Sequence, residues 1–208
     1  MIRVHHLNAS RSHRILWLLE ELGLEYEIVQ YQREKSMLAP KTLRAIHPLG
    51  KSPVVEEDGR VMAESGAIVE LMVERHGAGK LAPARGTPAY ERYIYWLHYA
   101  EGSMMPPLLL KLVLSKLGPL GWPARGFVDA QLRTHLDFME GELGRAKYFA
   151  GDDFSAADIQ MSFPVEAATV RGGLDASRPN LMRFLWEIHQ RPAYRRAVER
   201  GGELGLGR

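Results

Sequence analysis

None of the 208 residues is a cysteine. That absence excludes disulfides, Cys-ligated metal and any protein thiol acting as a nucleophile, and it fits a reducing compartment. Charge of one sign is missing too: 27 Lys and Arg stand against 25 Asp and Glu, a formal net charge of +2. Without a dense basic tract, nucleic acid is not expected as a partner. The pI near 8.9 leaves a mildly positive field that suits a small anionic substrate. No apolar run has the length needed to cross a bilayer. The opening MIRVHHLNAS lacks the apolar stretch of a secretory signal, so a cytoplasmic protein without a membrane partner is expected. His5, His6, His13 and His47 show no ligand spacing such as H-E-x-x-H. They read as structural or exposed, and no metal is expected.

What is present is an ordinary globular balance, 46% apolar and 25% charged, in a chain long enough for one large or two small domains. Ile2 to Leu7 is short and β-prone. The stretch after it places Ile15, Leu18, Leu19 and Leu22 at helical spacing, with Gly23 as a stop. Tyr26 to Tyr31 reads as a second strand, which predicts a parallel pair. After a polar stretch with at most a short helix near Pro40 to Ile46, SPVVEEDGRVMA reads as a hairpin turning at Asp58-Gly59. Glu64-Ser65 then opens a helix that Gly77 closes. The order β-α-β-(α)-β-β-α is thioredoxin-like. Residues 77 to 88, GAGKLAPARGTP, read as a linker. Beyond it strand signals nearly vanish: one long helix is predicted over Tyr90 to Leu117, bent or broken at Pro106-Pro107. Further helices are predicted around Phe127 to Leu143, Ser155 to Val170, Leu181 to Gln190 and Pro192 to Arg200, before a loose Gly-rich end. The expected division is an α/β domain at 1–78, a linker at 79–88 and an all-α domain at 89–208.

Each candidate motif has a plain structural reading. Ser10 or Ser12 can cap the first helix. Pro53 heads a strand as an edge residue would. Lys51 suits a solvated surface. Ser65 reads as an N-cap with Glu64 near the positive end of the helix dipole; the same helix start also suits a bound carboxylate. Ser155-x-x-Asp158 before an apolar run has the form of a capping box. Tyr95, Tyr99, Met104, Met105 and Trp122 read first as core.

Three stretches, LNASRSHRILWLLEELGLEYE, HPLGKSPVVEEDGRVMAESGAIVEL and FSAADI, together with the helical second half, resemble the soluble glutathione transferase family, especially its bacterial and fungal members. The resemblance spans nearly the whole chain and implies a thioredoxin-like N-terminal domain plus an all-α C-terminal one. It implies that the Ser52-Pro53 bond is cis and that Ser52 offers its backbone to the cysteinyl part of glutathione. Glu64 and Ser65 would take the γ-glutamyl ammonium and carboxylate, and Lys51 the glycyl carboxylate. Serine-type members place a hydroxyl four residues before an arginine of the first helix, as Ser10 stands before Arg14. Ser10 is thus the candidate catalytic residue, with Ser12 and Asn8 as rivals, and Asn8 is counted among the glutathione-binding residues. The implied activity is conjugation of glutathione, a co-substrate rather than a cofactor, to a small apolar electrophile. Tyr95, Tyr99 and Met104 are the candidates for that second pocket. Glutathione-dependent peroxide or disulfide reduction, isomerisation and a non-catalytic binding module are the alternatives. A two-fold homodimer is expected from the resemblance, and the capping box is expected to serve folding.

Overall fold

Alternating β-prone and helical segments build a four-stranded sheet in the computed structural model, which describes residues 1–34, 36 and 38–206. β1 (Ile2–Leu7) leads through α1 (Ser12–Leu22) to β2 (Tyr26–Tyr31), α2 (Lys41–Ile46), β3 (Val54–Glu57), β4 (Arg60–Ala63) and α3 (Ser65–His76). The strand order is β2-β1-β3-β4; β1 and β2 are parallel, and β3 is antiparallel to both β1 and β4. The hairpin turns where the sequence placed it. Asp58 and Gly59 both have positive φ, 48° and 78°, the pattern of a type I′ turn matched to strand twist. Gly23, at φ 67° and ψ 31°, ends α1, and Leu24 N–H reaches back to the Leu19 carbonyl at 3.0 Å.

α1 is buried at every position from Ser12 to Leu19, more than one amphipathic stripe requires. Its second partner is α9 (Pro192–Gly201). Tyr194 meets the edge of Trp17 with ring centroids 5.1 Å apart. Arg191 forks onto Glu21 at 2.5 and 2.9 Å, and Arg196 and Arg200 converge on Glu20 at 2.7 and 2.9 Å. Arg200 also stacks 3.8 Å over the Tyr26 ring. Consequently the chain divides into Met1–Leu81 together with the described residues from His189 onward, and Ala82–Ile188. The expected all-α span of 89–208 differs from this division at its end, where the last helix packs with the α/β unit.

The other unit holds α4 (Pro88–Tyr99), α5 (Met105–Lys116), α6 (Trp122–Arg145), α7 (Ala156–Ala167) and most of α8 (Pro179–Gln190). The single long helix expected over 90–117 is two helices joined by a π-helical turn at Ala100–Met104. Pro106 and Pro107 sit in the first turn of α5, where no intrahelical N–H is required, so the expected interruption falls just before them. The capping box at Ser155 and Asp158 is formed in full. Among the described residues no helix is long and apolar enough to cross a membrane.

Candidate active site

The sheet register brings the separated stretches of the α/β unit to one place. His5 pairs with Val54 and Val54 with Ala63, so the C-terminal end of β1, the start of β3 and the end of β4 share one row. Just beyond that row lie Asn8 to Ser12, Ser52-Pro53 and Glu64-Ser65. The Ser52–Pro53 bond is cis. Ser10 Oγ lies 3.2 Å from Ser52 Oγ, which in turn donates to the His5 carbonyl at 3.3 Å. Two serines 42 residues apart in sequence therefore touch.

The two serines of the first loop differ sharply. Ser12 is fully buried and its hydroxyl is enclosed by His6 Nδ1 at 2.9 Å, Leu7 N–H at 3.2 Å and Ser10 Oγ at 2.8 Å. Ser10 is buried to 4% exposure, accepts Ser12 N–H at 3.2 Å and stands between Ser12 and half-buried Ser52. The capping expectation is corrected in detail: the N-cap position is Arg11, whose side chain makes no capping bond, and α1 begins at Ser12. Asn8 serves the loop. Its Oδ1 accepts Arg33 N–H at 2.8 Å, while the Arg33 guanidinium donates to the Asn8 and Ala9 carbonyls at 3.1 and 3.0 Å. Those bonds hold Ala9 at φ 48°.

Ser65 is also not an N-cap. That position belongs to Glu64, which is exposed and held at φ 70° and ψ 115°. A non-glycine residue there carries roughly 1–3 kcal/mol of backbone strain. Buried Ser65 is the first residue of α3, and its hydroxyl accepts from Arg14 at 3.3 Å. Arg14 is 1% exposed among the apolar residues of α1. The sequence used it only as a spacing marker; the signal for more was a guanidinium within the run Ile15 to Leu19. Lys51 is exposed and lines a surface depression with Lys41, Arg44, Glu34 and Gly50. Gly50, at φ 55°, is where the Arg44 stem lies closest; a Cβ would stand 2.5 Å from its Cγ. Three cations thus border one depression.

In the helical unit, Tyr95 is half exposed, Tyr99 is buried and Met104 is fully buried. Tyr99 packs against Trp96 and Phe138, with centroids 4.9 and 5.8 Å away. Burial, then the nearby Tyr95, pushes its phenol pKa up, so the hydroxyl stays protonated; it is hydrogen-bonded with His135 Nδ1 at 2.5 Å. Among the described residues no cluster of three His, Cys, Asp or Glu could hold a metal ion.

Comparison with known proteins bears on this arrangement directly. Residues 1–74 match the model of the glutathione S-transferase N-terminal domain, and residues 128–192 that of its C-terminal domain. Glutathione S-transferase 1 of Saccharomyces cerevisiae is 33% identical, covering 99% of this chain and 97% of its own. Glutathione S-transferase 3 of Schizosaccharomyces pombe is 36% identical over 96% of this chain and 88% of its own. The crystal structure of a glutathione S-transferase from Actinobacillus pleuropneumoniae is 40% identical, with a TM-score of 0.91 over 100% of this chain and 96% of that one. The chain belongs to the glutathione S-transferase family.

Proposed function

We propose that this glutathione transferase binds glutathione across the end of the sheet marked by His5, Val54 and Ala63, and that Ser10 holds its thiolate. The observation carrying the proposal is the contact between Ser10 and Ser52, whose backbone is the expected strand-like partner of the cysteinyl residue. Of the two rival hydroxyls, Ser12 is already bonded on its inner side to His6 and Leu7, whereas Ser10 occupies the outer end of the same chain. Ser65 and the N–H groups opening α3 take the γ-glutamyl carboxylate, and Glu64 takes the ammonium. Lys51, in its cationic depression, takes the glycyl carboxylate. Asn8 contributes by fixing the loop that carries Ser10.

A free thiol has a pKa of about 8.5, and lowering it by about two units requires roughly 3 kcal/mol of preference for the thiolate. A charge-assisted O–H···S bond supplies about half or more of that, and the partial positive charge at the start of α1 adds to it. The thiolate then attacks an apolar electrophilic carbon: the C–S bond forms as the leaving group departs with its electron pair. No covalent bond to the protein is needed, which suits a chain without cysteine. Reduction of peroxides or disulfides would use the same glutathione site but is not favoured over conjugation. The second substrate is assigned to the helical unit, the working form to a two-fold dimer, the role to detoxification and the location to the cytoplasm.

Two measurements test the reading. The protein should be retained on immobilised glutathione and eluted by free glutathione. Ser10→Ala should raise the pKa of bound glutathione, followed by thiolate absorbance, by about one unit or more. Normal retention with an unshifted pKa would refute the role of Ser10; no retention would refute glutathione binding.

A further inference from the structure

His6 makes two contacts that the sheet does not need. Its Nε2 lies 2.9 Å from the Gly201 carbonyl, in the last turn of α9, and its Nδ1 lies 2.9 Å from Ser12 Oγ. A carbonyl only accepts, so Nε2 carries a hydrogen. Burial pushes the imidazole pKa down to about 4, opposed by the Gly201 carbonyl and assisted by nearby His13. The ring is therefore neutral near pH 7, and Nδ1 is a bare lone pair. Ser12 is its donor: Nδ1 has no hydrogen to give, the Leu7 carbonyl is farther from the Ser12 hydroxyl at 3.4 Å, and Ser10 Oγ at 2.8 Å carries a proton of its own.

With its proton spent on His6, Ser12 Oγ has two lone pairs to fill. Leu7 N–H takes one at 3.2 Å and Ser10 Oγ faces the other at 2.8 Å. Ser10 is thus the donor in that contact. Ser52 Oγ is a second acceptor for the Ser10 proton, but at 3.2 Å it is the more distant of the two. Ser12 N–H donates to Ser10, and Ser52 spends its own proton on the His5 carbonyl. Protons in the chain point from Ser10 to Ser12, to His6 and to Gly201, away from the site where the thiol would sit.

We infer that His6 and Ser12 act as a brake on Ser10, limiting how far it acidifies bound glutathione. This rests on the reading of Ser10 as the thiolate donor. To donate to sulfur, Ser10 must withdraw its proton from Ser12, so the thiolate gains only the difference between two hydrogen bonds. Charge-assisted bonds are roughly twice as strong as neutral ones, so about half of what Ser10 can offer is withheld. A Ser12 released by His6 would instead donate to Ser10 and reinforce the bond to sulfur. The brake has a chemical use: a less acidic thiolate is the better nucleophile. Gly201 belongs to the same device. A Cβ there would stand 2.3 Å from Leu16 Cδ1 and 3.3 Å from His6 Nε2, so glycine allows the close approach that sets the His6 tautomer. His6 and Ser12 are positioning residues, not catalytic ones.

The test is ultraviolet titration of the glutathione thiolate bound to the full-length protein. Ser12→Ala and His6→Leu should each lower its pKa by about 0.5–1 unit, equivalent to about 0.7–1.4 kcal/mol. A purely structural lesion has the opposite sign, since a loosened site loses donors and the pKa rises. Ser12→Ala should have no further effect in a Ser10→Ala background. The brake is wrong if both single variants raise the pKa or leave it unchanged while Ser10→Ala raises it; Ser10 then keeps its role. If Ser10→Ala leaves the pKa unchanged, the Ser10 assignment fails and the brake fails with it. Ser12→Ala puts a good helix former at the first position of α1, which covers the case of a His6→Leu protein that does not fold.

Discussion

Removing the carboxylate of Asp158 should cost the protein a large fraction of its stability without changing its chemistry. Asp158 is fully buried at the start of α7 and accepts Phe149 N–H at 2.9 Å, Ser155 N–H at 2.8 Å and the Ser155 hydroxyl at 3.0 Å. Phe149 is itself fully buried and Ser155 nearly so, so water cannot replace the lost acceptor. In Asp158→Ala the hydroxyl can rotate to another partner, but the two backbone N–H groups cannot. Each orphaned buried donor costs about 1–3 kcal/mol, so a loss of about 4 kcal/mol is expected, above the roughly 0.5–2 kcal/mol of an exposed cap. Against a typical total of about 5–15 kcal/mol, that is close to the margin of folding. Burial pushes the carboxyl up to about 6 against the pull of its donors, so at pH 7.5 the comparison is with an ionised cap. Urea unfolding followed by far-ultraviolet circular dichroism measures the loss. Asp158→Asn, which keeps one acceptor oxygen but turns an N–H toward a donor, should lie between wild type and alanine. A loss below about 1 kcal/mol would refute the reasoning, as would a fully folded Asp158→Ala protein with reduced kcat/KM.

Two further outcomes follow from groups in the α/β unit. His6 binds its proton less tightly folded than unfolded, so its contribution is complete above pH 6.5 and is lost as pH falls toward 4. The stability difference between wild type and His6→Leu should shrink over that window by up to about 3 kcal/mol, read from urea titrations at each pH; a pH-independent difference would contradict a buried neutral ring. Glu64→Gly relieves a φ of 70°, so stability should hold or rise by about 1 kcal/mol. Glutathione affinity, measured calorimetrically, should fall about tenfold with loss of the carboxylate. A stability loss above 1 kcal/mol would show that Glu64 is not strained.

What could be read from the sequence was local or periodic. Asp58-Gly59 predicts its turn because two adjacent residues must take positive φ, and Ser155 with Asp158 predicts its cap because both partners lie within one helical turn. The register that joins Ser52 to Ser10 was reachable only through family resemblance, since no local rule links positions 42 residues apart. The place of α9 was not legible: its arginines fit any acidic surface, and the glutamates they find lie 170 to 180 residues earlier. Pro106-Pro107 foretold the interruption but not its place, because prolines are tolerated in the first turn of a helix and the break falls just before them.

The choice between Ser10 and Ser12 shows most clearly what spacing leaves out. Both are hydroxyls beside a helix start, and either satisfies a pattern of residue types. They are separated by which lone pairs and protons are already taken, and that depends on a histidine in the first strand whose other nitrogen is held from 195 residues away. Hydrogen-bond capacity is finite and conserved around the chain: a proton given to His6 cannot be given to Ser10, and one given to Ser12 cannot be given to sulfur. If Ser10 holds the thiolate as proposed, the last turn of the last helix would influence the acidity of that thiol without touching it. A substitution at Gly201 belongs to the chemistry of the site as much as to its packing.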